Sequence, residues 1–198
     1  MVSYFYGAVL AASVLCSVIY IFLWHRHFDA NLSMVFTLAP LACLGYFSMS
    51  ISKSLEGALA ATRLVYLGGC FLQLFVVLSI LHLCQIPVSK WVRTALLTIS
   101  CVLYAPVINV GYGKSFYKHT TFEIVNGAGV LTKEYGIFHT LIYVAFFSFF
   151  VVGMTAIVYS YRKKTQVPKT VLPILWIFRL TSLWLILIQK VILNICSM

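Results

Sequence analysis

Five histidines (His25, His27, His82, His119, His139), six cysteines (Cys16, Cys43, Cys70, Cys84, Cys101, Cys196) and four carboxylates (Asp29, Glu56, Glu123, Glu134) carry most of the chemistry this sequence could perform. A metal ion would need several of them to converge. His82 and Cys84 are two residues apart, which on a helix turns their side chains about 200° from one another, so they cannot share an ion. His25 and His27 have the same geometry and read as a basic collar beside a membrane. His119 and Glu123 are spaced i, i+4, which brings side chains together only on a helix, whereas they fall at the start of a predicted hairpin. The cysteines are scattered singly, mostly inside apolar runs and without a C-x-x-C pair. Neither a disulfide framework nor a zinc knuckle fits that spacing, and they read as small buried hydrophobes. Zinc hydrolases need several His or Asp ligands, and serine hydrolases need a nucleophile beside a positioned base; neither set is visible. The expectation is no enzyme, no metal and no cofactor.

Three other groups carry more information. Glu134 falls in the turn before a predicted helix, and Tyr135 and His139, at i and i+4, share a face if that helix begins early enough. Histidine changes charge near physiological pH, so the trio reads either as part of a ligand pocket or as a helix cap with interfacial aromatics. Arg63 and Tyr66 begin another predicted helix on the same side, within reach of Glu134. An Arg63–Glu134 pair could hold two helices together; the alternative is a snorkelling arginine. Arg179 lies about ten residues beyond Lys169, or about 15 Å along a regular helix, near a bilayer centre, where a charge is costly and usually functional. No acidic residue falls in any spanning segment, so its partners would be carbonyls, hydroxyls, water or an anion. Alternatively Pro173 starts that helix later and moves Arg179 to the inner interface.

The elements that must position these groups follow from composition. The chain has 198 residues, 62% hydrophobic, 16% aromatic and 9% charged, with a mean hydropathy of +1.00. A soluble domain carries about 25% charged residues, so this chain cannot cover a globule with polar groups and belongs in lipid. That excludes most soluble enzymes and nucleic-acid binders despite the +10 formal charge. A crossing takes about 20 apolar residues, and six stretches qualify: 4–24, 32–51, 63–83, 92–112, 137–161 and 171–188. The first lacks a positive leader and a small-residue cleavage site, so it is expected to be retained. Alternating strand-length segments of the kind barrels need are absent. The expected fold is therefore an all-α integral membrane bundle of six transmembrane helices, one domain over 1–198 with no soluble output domain. Pro40, Pro106 and Pro173 read as ordinary membrane-helix prolines or as bends around a cavity.

Orientation follows from the connections. The first, third and fifth hold Arg26, Lys90, Arg93 and the compact Arg162, Lys163, Lys164 and Lys169 group. The second and fourth hold fewer basic residues per position and three carboxylates. The positive-inside rule then puts the N-terminus outside, with the 162–169 cluster as a cytoplasmic anchor against anionic headgroups. Six crossings also leave the C-terminus outside, with no room for a seventh. Asn31-Leu-Ser33 fits the glycosylation pattern but falls on the inner side, where it is expected to go unused. In the long fourth connection, Asn126-Gly127 between the β-prone runs 121–125 and 130–133 predicts a short hairpin. It would lie across the outer mouth of the bundle, because an isolated hairpin is marginal in water.

At this point the residues resemble a known family. The run Ser54-Leu-Glu-Gly-Ala-Leu-Ala-Ala-Thr-Arg63-Leu-Val-Tyr66-Leu-Gly68 is similar to the N-terminal seven-transmembrane region of bacterial membrane histidine kinases and related diguanylate cyclases. So is Lys133-Glu134-Tyr135-Gly136-Ile-Phe-His139 through Ile142-Tyr143. The order of elements agrees from roughly residue 4 to 190. The resemblance implies a sensor with an outside N-terminus, a helix bundle, and a last helix leading to a cytoplasmic output domain that is usually dimeric. This sequence differs in lacking a convincing seventh helix and any kinase or cyclase domain.

The function expected is a sensory signal-input module in the plasma membrane. It would detect an outer-side or membrane signal, with Arg63, Tyr66, Glu134, Tyr135 and His139 as ligand-binding candidates. Expected partners are the bilayer, a small ligand, a kinase or cyclase output and a second copy in a homodimer; nucleic acid is not among them. The alternative is a small transporter or channel with Arg179 in its pathway, although no intramembrane carboxylate relay or inverted repeat supports it.

Overall fold

The computed structural model describes residues 2–23, 29–125 and 127–163. They form α1 (Val2–Leu23), α2 (Ala30–Ile51), α3 (Leu55–Leu83), α4 (Lys90–Ile108), β1 (Tyr117–Val125), β2 (Ala128–Tyr135) and α5 (Ile137–Arg162). All five helices are long and apolar enough to cross a bilayer. The sixth stretch expected from hydropathy, 171–188 with Pro173 and Arg179, lies outside the described residues, as do Lys164 and Lys169.

Side-chain caps start three of the helices. Asp29 accepts a hydrogen bond from the Asn31 amide (2.8 Å) at α2, Ser54 from that of Gly57 (3.2 Å) at α3, and Ser89 from that of Val92 (3.3 Å) at α4. Each satisfies one of the amides a helix start leaves open. Two helix limits differ from those hydropathy predicts. α3 begins at Leu55 rather than at residue 63, because Ser54 caps it, Glu56 lies in its first turn and the intervening run is alanine-rich. Its 29 residues span about 43 Å, longer than the roughly 30 Å hydrocarbon layer of an untilted crossing. α4 ends at Ile108, not 112, and runs through Pro106. Pro40 likewise sits inside a continuous α2.

α3 is central and packs against α2, α4 and α5, while α1 packs on α2. The α2–α3 contact is close because glycines allow it. A Cβ at Gly68 would lie 2.4 Å from that of Ala42, and one at Gly45 would lie 2.7 Å from the Val65 amide nitrogen. Small residues that let backbones approach drive helix association in lipid, where hydrophobic burial gives no preference. Exposed aromatics mark two levels along the bundle: Tyr4, Phe5 and Tyr112 near one end, Trp91 and Tyr161 near the other, as interfacial belts require.

β1 and β2 pair antiparallel, with Val125 opposite Ala128 across a two-residue turn; Gly127 there adopts φ +76°, which glycine does at no steric cost. The hairpin is longer than expected, so Glu134 and Tyr135 belong to β2 rather than to the turn before α5. It lies across one end of the bundle. Gly129 passes so close to the Met49 and Ser52 carbonyls at the end of α2 that a Cβ would come within 2.8 Å of each. Leu131 and Phe116 join Ala58 and Leu59 of α3 and Val107 of α4 in one core.

Neighbouring glycines give a paired prediction. Gly68→Ala forces Cβ into Ala42 and should destabilise the bundle by about 1–3 kcal/mol. Gly69→Ala meets only the Phe146 ring tip at 3.5 Å and should change stability by less than about 1 kcal/mol. Unfolding of both variants in mixed micelles by denaturing detergent checks the difference.

Candidate functional site at the hairpin end

His139 lies in the first turn of α5 and is buried, 7% exposed. The Tyr135 ring stacks on it at 3.9 Å between centroids and 17° between planes. Tyr143, one turn along α5, approaches to 4.7 Å. Phe116 and Tyr66 present edges at 5.7 Å and 6.2 Å, and Tyr117 lies tilted at 6.1 Å. The Tyr117 hydroxyl donates to that of Tyr66 (3.3 Å). One imidazole therefore joins rings from β1, β2, α3 and α5.

Local structure explains the convergence. Regular alternation puts Leu131, Lys133 and Tyr135 on the bundle side of β2. An irregularity between Tyr117 and His119 sets Tyr117 opposite Tyr135; the extra residue, Lys118, turns Tyr117 onto the bundle side, as a bulge does. The Gly136 amide donates to the Phe116 carbonyl (2.8 Å), and Gly136 has no room for a Cβ against the Ser115 carbonyl. β1 and α5 are thus pinned together beside the imidazole.

The Lys133 ammonium sits 5.4 Å from the centre of the Tyr117 ring. Burial pulls this lysine down from the ordinary range to about 8, since an ammonium loses hydration there. Burial pushes the Tyr117 and Tyr135 phenols up, so both keep their protons at neutral pH and can donate.

The expected site residues separate into two sets. Tyr66, Tyr135 and His139 come together, although Tyr135 reaches His139 from a strand and not as an i, i+4 partner on a helix. Arg63 and Glu134 do not meet. The Arg63 Nη2 donates to the Val110 carbonyl (2.9 Å), its guanidinium lies 5.8 Å from the Tyr112 ring centre, and its own carbonyl accepts from Tyr104 (3.3 Å). Arg63 therefore holds the link between α4 and β1. Glu134 is exposed, opposite His119 in the ladder and on the face away from the bundle. Phe116, Tyr117, Lys133 and Tyr143 were not among the candidates. The i, i+4 spacing of His139 and Tyr143 and the alternation Leu131, Lys133, Tyr135 were legible signals; the irregularity at Lys118 was not.

At the opposite end, Asp29 is a second hub. Its carboxylate lies 2.8 Å from the His82 Nδ1, its carbonyl accepts from Tyr20 (3.3 Å), and the neighbouring Asn31 accepts from Arg93 Nη2 (2.7 Å). These contacts tie α1, α2, α3 and α4. His82 thus has a carboxylate partner, and among the described residues no cluster of three or more His, Cys, Asp or Glu could hold a metal ion. Arg162 and Lys163 are exposed at this end.

The depressed Lys133 predicts a pH dependence. The unfolded chain holds the lysine proton up to about 10.4, whereas the folded chain releases it near 8, so stability rises as pH climbs between those values. The gain is at most about 3 kcal/mol. Thermal unfolding between pH 7.5 and 9.5 should show this rise in the wild type and a flat profile in Lys133→Met.

A family model described as the N-terminal 7TM region of histidine kinase matches residues 8–192. No curated protein and no solved structure matches the chain. The matched region covers nearly the whole sequence, and its membrane-bundle character agrees with five helices capable of spanning a bilayer. The chain belongs to the family of N-terminal 7TM regions of histidine kinases, as a multi-pass membrane module for sensory input.

Proposed function

We propose that the hairpin end of the bundle faces outward from the plasma membrane and binds a small molecule, and that binding alters how α5 sits against α3. The observation that carries this reading is the His139 cluster, where a strand pair, the central helix and the first turn of α5 meet on one ring. Tyr66, Tyr135 and His139 form the core of the ligand site. Arg63 holds its floor through the α4–β1 link, and Glu134 faces solvent on the outer side of the strand that covers it. Stacked rings, protonated phenols and an imidazole suit a flat or polar organic ligand held by stacking and hydrogen bonds.

The signal then passes along α3 and α5, which run in the same direction, to the Asp29 end. Arg162, Lys163, Lys164 and Lys169 anchor that end at the cytoplasmic headgroups, where a kinase or cyclase output or partner receives the shift. Such outputs act as dimers, which makes a homodimer the working assembly. A ligand moves this equilibrium only by the difference between its affinities for the two arrangements. Nothing in the described residues favours transport, and Arg179 lies outside them.

A library of small organic acids, amines and aromatic compounds, screened by thermal unfolding of the full chain in nanodiscs, tests the proposal. A compound near 100 times its Kd stabilises by about 2.7 kcal/mol. The shift should persist in Lys163→Gln, at the other end, and vanish in His139→Ala and Tyr66→Ala. A screen in which no compound raises the unfolding temperature, or one whose hits act equally on all variants, contradicts the reading.

A further inference from the structure

At the Asp29 end a groove of about 580 Å³ opens between the end of α3, the link to α4 and the last three turns of α5. This volume falls within the range of small-molecule sites. Its lining changes character along its length. Leu81, Val152 and Ala156 form apolar walls, and Gln85, Tyr159 and Lys163 form a polar mouth. From Val152 to Lys163 the groove follows α5 for about 16 Å. No carboxylate lines it, and the residue before Lys163 in the chain is the exposed Arg162.

Two details of the mouth point to a ligand. The Lys163 Nζ donates to the Tyr159 hydroxyl (2.9 Å) and lies 5.3 Å from that ring's centre, which fixes the ammonium at the rim. The hydrogen bond to Tyr159 also raises the lysine's affinity for its proton. Gln85 is the other detail. The Gln85 amide bonds the His82 carbonyl and the Ile86 amide bonds the Leu81 carbonyl. That is the pattern of a helix end whose C′ residue is left-handed and is usually glycine or asparagine. Here glutamine occupies the position at φ +56°, where a long side chain is strained. Gln85 lines the groove in spite of that cost.

We propose that this groove binds one anionic phospholipid, with the headgroup phosphate at Lys163 and Gln85 and an acyl chain along Val152 and Ala156. The graded lining favours a lipid over a free anion, because inorganic phosphate would leave the apolar length of the groove unused. Positive pockets between helices at a cytoplasmic interface attract anionic headgroups. A lipid seated there touches both α3 and α5, so membrane composition would bias the same helix pair that the His139 cluster bridges at the other end.

The test uses the delipidated full chain in neutral detergent, probed with phosphatidylglycerol, phosphatidylcholine and inorganic phosphate by native mass spectrometry and thermal unfolding. The wild type should retain one phosphatidylglycerol in preference to phosphatidylcholine, with no displacement by inorganic phosphate. Lys163→Gln should weaken retention about fivefold. Gln85→Gly supplies the residue this helix end prefers, so it should leave the unfolding temperature unchanged or higher while weakening retention about threefold. Lys118→Gln on the hairpin should retain the lipid as the wild type does. Equal retention of both lipids, or variants at Lys163 and Gln85 that bind like the wild type, would overturn the proposal. So would displacement by phosphate, which marks a free-anion site. A wild type that retains no phosphatidylglycerol would overturn it too.

Discussion

The stacking of Tyr135 on His139 is the contact on which the hairpin end depends. A two-stranded hairpin has no independent stability, and this one is held by packing on the bundle. The stack contributes about 0.5–1.5 kcal/mol beyond the area it buries. Its larger effect is geometric, because Tyr135 is the last residue of β2 and His139 is the third of α5. Any rotation of α5 about its axis must break the stack or drag the hairpin, and the hairpin is pinned in turn by Gly129 against the end of α2.

The helix pair beneath is similarly constrained. α2 and α3 touch at Gly45 and Gly68 with no space for a methyl group, which makes them one rigid unit. α5 meets α3 through larger side chains, Phe146 near Gly69 and Phe149 beside Leu74 and Leu78. Side chains of that size can change rotamer where a glycine contact cannot slide. Movement in this bundle is therefore expected between α5 and the α2–α3 unit, with the His139 cluster bridging them at one end and Cys84 beside Ser160 at the other.

The spans were legible because lipid demands about 20 consecutive apolar residues, and a window of hydropathy measures that demand directly. Hydropathy could not give the true length of α3. It reports apolar character, whereas residues 55–62 are helical through the Ser54 cap and only Ala58 and Leu59 among them share the core of Phe116 and Leu131. The hairpin was legible in Asn126-Gly127, but its extent was not, since Tyr117, Glu134 and Tyr135 lie beyond the β-prone runs. For the site, position at the outer helix ends singled out Tyr66, Tyr135 and His139, which prove to be neighbours in space. An Arg63–Glu134 pair was the wrong inference from charge alone. Placing two opposite charges at the same level of a bundle says nothing about which face of a strand the carboxylate occupies, and a carbonyl at Val110 takes the arginine instead.

The central claim is that the arrangement around His139 is felt at the far end of α3 and α5. Cys84 is a native reporter of that end, fully buried at 0% exposure. Its alkylation by a membrane-permeant maleimide, read by peptide mass spectrometry on the full chain in lipid vesicles, tests the claim directly. Replacing Tyr135 with alanine should change the Cys84 rate by about fivefold, within the usual size of coupling between sites, while Cys43 on α2 keeps its wild-type rate. Equal Cys84 rates in the two proteins, with the hairpin amides shown by hydrogen exchange to have loosened, would contradict it.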